Sequence, residues 1–228
     1  MEVRLAAATI GDRHGVEAML VSAVGEDVCL GFANTLAWRG RVAPVETLAD
    51  FAALLRWAQT SAALPPPAAR ELASWAREHP VEAAEVFAEA IVLREAIYRI
   101  ASALACDEPI RSQDFAGLSR AMSQAPARQQ LVRASVGYAW RIELGKVGRA
   151  GVSAPALLAP VLWSAADLVV GGAHGRIRRC ANDQCLWLFV DASKAGTRRW
   201  CAMASCGNRA KARRHYLKTT QSRRRAAG

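Results

Sequence analysis

The stretches Cys180-Ala-Asn-Asp-Gln-Cys185 and Cys201-Ala-Met-Ala-Ser-Cys206 decide how this chain is read. Together they spell Cys-x4-Cys-x15-Cys-x4-Cys. Each short pair can set two sulfurs on one ion, and the spacer is long enough for a hairpin that returns the second pair to the first. Four thiolates suit a closed tetrahedral zinc site, with no open position for water or substrate. Two disulfides are the alternative use of the same residues, and the redox compartment decides between them. The opening Met1-Glu-Val-Arg-Leu5 carries no basic leader with a long apolar stretch. The longest uncharged run, Ala150–Ala166, holds Pro155 and Pro160 and falls short of the roughly 20 apolar residues a membrane span needs. The expectation is a cytoplasmic protein with no membrane contact, whose thiols stay reduced and hold metal. Cys29 and Cys106 stand in apolar sequence and are expected to be buried structural thiols.

Charge sharpens this reading. The chain of 228 residues has a net charge of +10. From Arg176 to Gly228 there are 14 Lys/Arg against two acids, Asp183 and Asp191. The preceding residues are slightly acidic. A surplus confined to the metal-binding segment points to a polyanionic partner. With 52% hydrophobic residues the rest of the chain can build a real core.

The part before the cysteines reads as mainly helical. Leu48, Phe51, Leu54, Leu55 and Trp57 recur at three- and four-residue spacing, predicting a helix over 45–62. Pro65-Pro66-Pro67 separates it from a second helix that runs through Trp75 toward Pro80. Residues 81–105 predict the longest helix, with Glu95 and Arg99 as an i,i+4 pair. Helices are also expected over 112–123 and 154–170, and alternation across 130–144 predicts a β-hairpin turning at 135–137. Glycines between 171 and 175 provide a hinge into the metal segment. There, Trp187-Leu-Phe-Val190 suits a strand, Gly207 offers the positive φ of a tight turn, and a polar helix follows from Asn208.

The metal segment, with Leu188-Phe189-Val-Asp191, Arg198-Arg199-Trp200-Cys201 and Cys206-Gly207-Asn208-Arg209, resembles the CGNR zinc finger. Upstream, Cys29-Leu-Gly-Phe-Ala-Asn34-Thr-Leu36, Trp38-Arg39-Gly40 and Leu93-Arg94-Glu95-Ala-Ile-Tyr98 resemble the ABATE domain that accompanies it. Gly31 departs from that pattern, where an acidic residue is common. The resemblance implies a bacterial DNA-binding transcription regulator connected with stress responses, with zinc on Cys180, Cys185, Cys201 and Cys206. The expected fold is mainly α with a small β-hairpin (α+β). It comprises a helical domain over 1–172 that senses a signal or mediates assembly, a treble-clef-like zinc finger over 173–220, and a basic disordered tail over 221–228.

Candidate nucleic-acid contacts are Arg198, Arg199, Asn208, Arg209, Lys211, Arg213, Arg214 and Lys218. Phosphate contacts supply affinity, and Arg or Asn on the helix after Gly207 are placed to reach base edges. Asn208 serves equally as a helix cap, and Arg209 as an internal brace. Trp187, Phe189 and Trp200 are expected to form the finger's small core. Upstream, Asn34, Trp38, Arg39, Arg94, Tyr98 and Trp163 are candidates for a small-molecule effector pocket, with a structural hydrogen-bond network as the alternative. Buried Arg94 needs a partner, and Glu95, its sequence neighbour, points to another helical face. His14, His79, His174 and His215 are scattered, and no phosphate loop or catalytic triad is present, so an enzyme is not expected. DNA is the expected partner, with RNA or a docked protein as alternatives and a homodimer as the expected means of widening the site. The finger is expected to fold only with its metal, leaving the helical domain standing when a ligand is lost.

Overall fold

The computed structural model describes residues 18–21, 25, 27–134, 137–144, 152–171, 175–214 and 216. Along the chain run β1 (Ala18–Val21), α1 (Val28–Ala33), β2 (Leu36–Ala37), β3 (Val45–Glu46), α2 (Phe51–Thr60), α3 (Pro66–Glu78), α4 (Pro80–Ala105) and α5 (Ser112–Gln124). Then come β4 (Gln130–Arg133), β5 (Tyr138–Glu143), α6 (Ala154–Leu157), α7 (Ala159–Val170), β6 (Ile177–Arg179) and β7 (Leu188–Val190). A π turn over Met203–Gly207 leads into α8, residues 208–214. The architecture is α+β: helices dominate, with three small sheets.

Helix α4 is the axis of the fold. Apolar or small residues face several sides, and Ala83, Ala90, Leu93, Ile97, Ile100 and Ala101 are all buried. Around it pack α1, α2, α3, α5 and α6 on the helical side and β6 and β7 of the metal segment. A helix buried on more than one face lacks a single polar stripe, which is why its sequence is rich in alanine.

Helix α2 starts later than apolar spacing predicts. Asp50, in extended conformation, accepts the Ala53 N–H at 2.7 Å and caps the helix there. The residues ahead of it, Val45 and Glu46, instead pair with Ala37 and Leu36. The 154–170 region divides into α6 and α7 at Leu158, just before Pro160.

The expected hairpin is present, with Val132 opposite Ala139, but it is part of a three-stranded sheet in the order β1-β5-β4. Strand β1 joins from far upstream, with Met19 opposite Ile142. All four of its residues are buried.

Ile177 and Leu188, from the two strands of the metal segment, lie in the same hydrophobic core as Phe32, Leu54, Leu72 and Leu162. The finger therefore shares the core of the helical domain. Of the expected hinge, residues 172–174 lie outside the described residues, as does the tail 221–228.

Candidate metal centre and nucleic-acid interface

The metal centre is built from a knuckle and a turn. Strands β6 and β7 pair around the first cysteine pair, so the hairpin encloses residues 180–187 and not the spacer between the pairs. In the knuckle, Asn182 carbonyl accepts the N–H groups of Cys185 at 2.9 Å and Leu186 at 3.2 Å. Leu186 completes the turn with φ 55°, a left-handed conformation unusual for a branched side chain. The spacer returns as an irregular loop closed by buried Asp191. Its carboxylate accepts Ser193 N–H at 2.9 Å and Arg198 N–H at 2.8 Å.

Cys206 and Gly207 sit in the π turn at the start of α8. Gly207 does not adopt the expected positive φ; among the described glycines that belongs to Gly137 and Gly196. What Gly207 provides is room, since a Cβ there would lie 2.6 Å from Met203 Sδ.

The four sulfurs lie within 4.8 Å of one another. Cys201 Sγ is 3.7 Å from Cys185 Sγ and 3.8 Å from Cys206 Sγ. A tetrahedron of sulfurs around zinc, with Zn–S near 2.3 Å, has edges of about 3.8 Å. The donor set therefore fits zinc in both chemistry and size. None of the four is joined in a disulfide. Burial pushes the Cys185 thiol up to about 11, with Cys180 and Cys206 adding to the rise and bonds with the Trp187 backbone and Cys201 opposing it. Burial and the same crowding raise Cys201 further. Four sulfurs this close need a divalent cation to be thiolates together. Around them, the Asn182 side-chain amide donates to Cys206 Sγ at 3.5 Å, linking knuckle to turn. Residues of this kind orient ligands and tune the metal.

A second set of contacts ties the centre to the helical domain. The bonds from Cys180 N–H to Trp187 O and from Asp191 N–H to Arg176 O, both 2.8 Å, leave Leu188 at a non-hydrogen-bonded position of the β6–β7 ladder. Its backbone groups face outward, where buried Asn34 meets both. Asn34 Nδ2 donates to Leu188 O at 2.8 Å, and its Oδ1 accepts Leu188 N–H at 3.0 Å. Tyr98 hydroxyl donates to Leu186 O at 3.0 Å. Gly40 N–H donates to Gln184 O at 3.2 Å, so close that a Cβ on Gly40 would stand 1.8 Å from Asp183 O.

Behind this joint lies an arginine–glutamate network. Arg94 is 2% exposed and makes two bonds to Glu46, at 2.7 and 2.8 Å. It also bonds to Glu95 at 2.9 Å, so the neighbour expected to point elsewhere is a partner after all; the long guanidinium stem reaches round the helix. Arg39 grips Glu95 at 2.7 and 3.0 Å, donates to Ala33 O and stacks on Tyr98. Burial would raise Glu46 and Glu95, but the guanidinium bonds outweigh it and hold both below the ordinary glutamate range. Arg99 turns from its expected helical partner Glu95 to Asp114, at 2.6 Å.

Of the six residues expected to line an effector pocket, Asn34, Arg39, Arg94 and Tyr98 thus bond across or beneath the joint, and Trp38 packs beside the cysteines. Trp163 lies apart, its Nε1 donating to Pro126 O at 3.2 Å. Asn34, Tyr98 and Trp38 line three separate cavities.

The basic residues divide. Arg198 is bound into the finger: it donates to Trp200 O at 2.9 Å and to Cys201 O, and stacks on Phe189 at 4.4 Å. Arg199 is exposed, 5.5 Å from the Trp200 ring. Asn208 opens α8 and donates to Ala204 O at 3.3 Å. Arg209 stacks on Trp38 at 4.6 Å, reaching a residue of the helical domain. Arg209, Arg213 and Arg214 line a cleft of about 730 Å³ between α8 and the knuckle, with Trp200, Asn182, Asp183 and Gln184 opposite. Lys211 is exposed on α8 and is absent from the residues that line the cleft. Lys218 lies outside the described residues. Phe189 is buried as expected and Trp200 partly so, but Trp187 is 38% exposed at the knuckle's edge. Cys29 is fully buried, which pushes its thiol up to about 11, whereas Cys106 at the end of α4 is only half-buried. The sequence singled out neither Asn182 nor Asp191 nor Glu46; short polar side chains beside cysteines carry only a weak signal of their bonds.

Fold and site together define a zinc protein of the four-cysteine finger class, with its finger set into an α+β helical domain. Residues 176–219 match the CGNR zinc finger, and residues 26–172 match the ABATE family, described as "Putative stress-induced transcription regulator". The chain belongs to the ABATE family and carries its zinc on Cys180, Cys185, Cys201 and Cys206. No curated protein matches it. Among the described residues no helix is long and apolar enough to cross a membrane.

Proposed function

We propose that this protein is a zinc-dependent, non-enzymatic DNA-binding regulator of transcription. The observation that carries the reading is the set Arg209, Lys211, Arg213 and Arg214 on α8. Among the described residues none has a carboxylate partner. Three of them line a cleft whose other wall is the knuckle held by the metal. Cations without carboxylate partners attract phosphates, and an ordered scaffold lowers the cost of holding them there. Zinc supplies no chemistry to a reaction here; it shapes the wall. The helical domain's part is to orient the finger, because Asn34 and Tyr98 bond across the joint.

The test is fluorescence anisotropy on duplex DNA over a range of salt. Each contacted phosphate contributes about −0.9 to the slope of log K against log salt. Replacing Arg213 and Arg214 with alanine is expected to flatten the slope by about 1.8 and to leave the zinc in place. Absence of binding at low salt refutes the reading, and stronger binding to structured RNA at matched salt replaces DNA with RNA.

A further inference from the structure

The loop after β2 brings a fifth cation to the finger's face. Trp38 has φ 56°, which reverses the chain, and Arg41 N–H closes the turn on Trp38 O at 2.9 Å. Gly40, between them, is pinned to the knuckle through Gln184. The loop is thereby fixed to the finger, although it belongs in sequence to the helical domain. Its two arginines differ. Arg39 is engaged by Glu95, Ala33 and Tyr98. Arg41 is exposed, and its guanidinium stacks 3.9 Å from the centre of the Trp38 ring. Among the described residues no carboxylate pairs with it.

The same indole carries Arg209 at 4.6 Å. The two guanidinium carbons are therefore no more than about 8.5 Å apart, the sum of the two stacking distances. Two like charges held this close on one ring, neither paired with a carboxylate among the described residues, repel each other until an anion or solvent intervenes. Successive phosphates of one DNA strand are spaced about 3.4 Å along the helix axis, so two cations within this limit can each meet a neighbouring phosphate.

We infer that the nucleic-acid face is composite: Arg41, held on Trp38 of the helical domain, contacts a backbone phosphate beside the one met by Arg209. This rests on the DNA-binding reading above and adds to it a residue outside the finger. It also assigns Trp38 a role, as the platform that sets the two guanidinium groups in register.

The experiment compares full-length zinc-loaded wild type, Arg41→Ala, Arg41→Lys and a control, Arg120→Ala, on two unrelated duplexes across a salt series. Arg120 is exposed on α5, far along the chain from the finger. For Arg41→Ala the salt slope should flatten by about 0.9 on both duplexes, an affinity loss of about eightfold at 0.1 M salt if the contact contributes nothing at 1 M. Zinc content and melting temperature should stay at wild-type values. Arg41→Lys should keep most of the slope, since charge survives, and Arg120→Ala should change nothing. An unchanged slope and affinity in Arg41→Ala, with wild type binding normally, overturns the inference and leaves the finger-based reading intact. Loss of zinc or of melting temperature in Arg41→Ala makes Arg41 a structural brace and overturns it too. Wild type that fails to bind duplex DNA removes both readings together.

Discussion

Replacing Asn34 with alanine probes the joint between finger and helical domain at its best-defined point. Asn34 is 5% exposed and satisfies both backbone groups of Leu188, at 2.8 and 3.0 Å. Leu188 is 1% exposed, and its position in the β6–β7 ladder gives those groups no other partner in the sheet. Each buried group left unsatisfied costs about 1–3 kcal/mol, so the variant is expected to lose roughly 3 kcal/mol. For a chain of this size that corresponds to a fall in melting temperature of about 6–12 °C. Far-UV circular dichroism follows the helices, and a chromogenic chelator present during the melt follows zinc release. Because Ile177 and Leu188 are shared with the main core, the two signals should move down together and remain superimposed. The reasoning is refuted if zinc leaves at a lower temperature while the helical transition stays at its wild-type value. That outcome would make the finger an independent unit that merely rests on its neighbour.

Three further outcomes follow from the same geometry. Gly40→Ala places a Cβ 1.8 Å from a backbone oxygen that cannot swing away, so loop and knuckle must part; faster zinc release to chelator and a lowered melting temperature are expected, and wild-type values for both would contradict the packing. Arg94→Ala should cost about 3 kcal/mol in chemical denaturation, because Glu95 and Glu46 lose a buried partner, whereas Glu46→Ala should cost only about 1 kcal/mol, since Glu46 is more than a third exposed and Glu95 still faces Arg94. Glu46 has its folded pKa held below its ordinary 4.5, so its contribution is present in full above that pH and lost as pH falls through the folded value. The melting-temperature gap between wild type and Glu46→Gln should therefore be widest near neutrality and shrink below about pH 4.5; a gap that widens in acid would reverse the assigned sign.

How far the sequence could be read depended on the distance over which each feature is encoded. The cysteine pairs were legible because a chelating loop needs its donors a few residues apart, and the long α4 because its apolar content persists over many turns. The hairpin at 130–143 was legible for the same local reason. Strand β1 was not: four residues, Ala18–Val21, take their strand conformation from pairing with β5 more than a hundred residues on. Apolar spacing placed the start of α2 too early, because Leu48 is buried ahead of the helix and the Asp50 cap outweighs periodicity. Asn34, Arg39, Arg94 and Tyr98 stood out correctly as polar groups in apolar surroundings. Composition alone could not say that Asn34 and Tyr98 face the backbone of a zinc knuckle, with Arg39 and Arg94 held by glutamates behind them. Arg41 was invisible as a functional residue, since its neighbour in space, Arg209, is distant in sequence and only the positive-φ turn at Trp38 joins them.

Leu188 has one face in the central core and its backbone on Asn34, two residues beyond the turn that follows Cys185. An ion that binds only the folded form stabilises everything that folds with it, by about 1.4 kcal/mol for each tenfold rise in free ion above its dissociation constant. The availability of zinc thus enters the durability of helices that never touch it. Withdrawing the metal should therefore loosen the whole fold and not the finger alone.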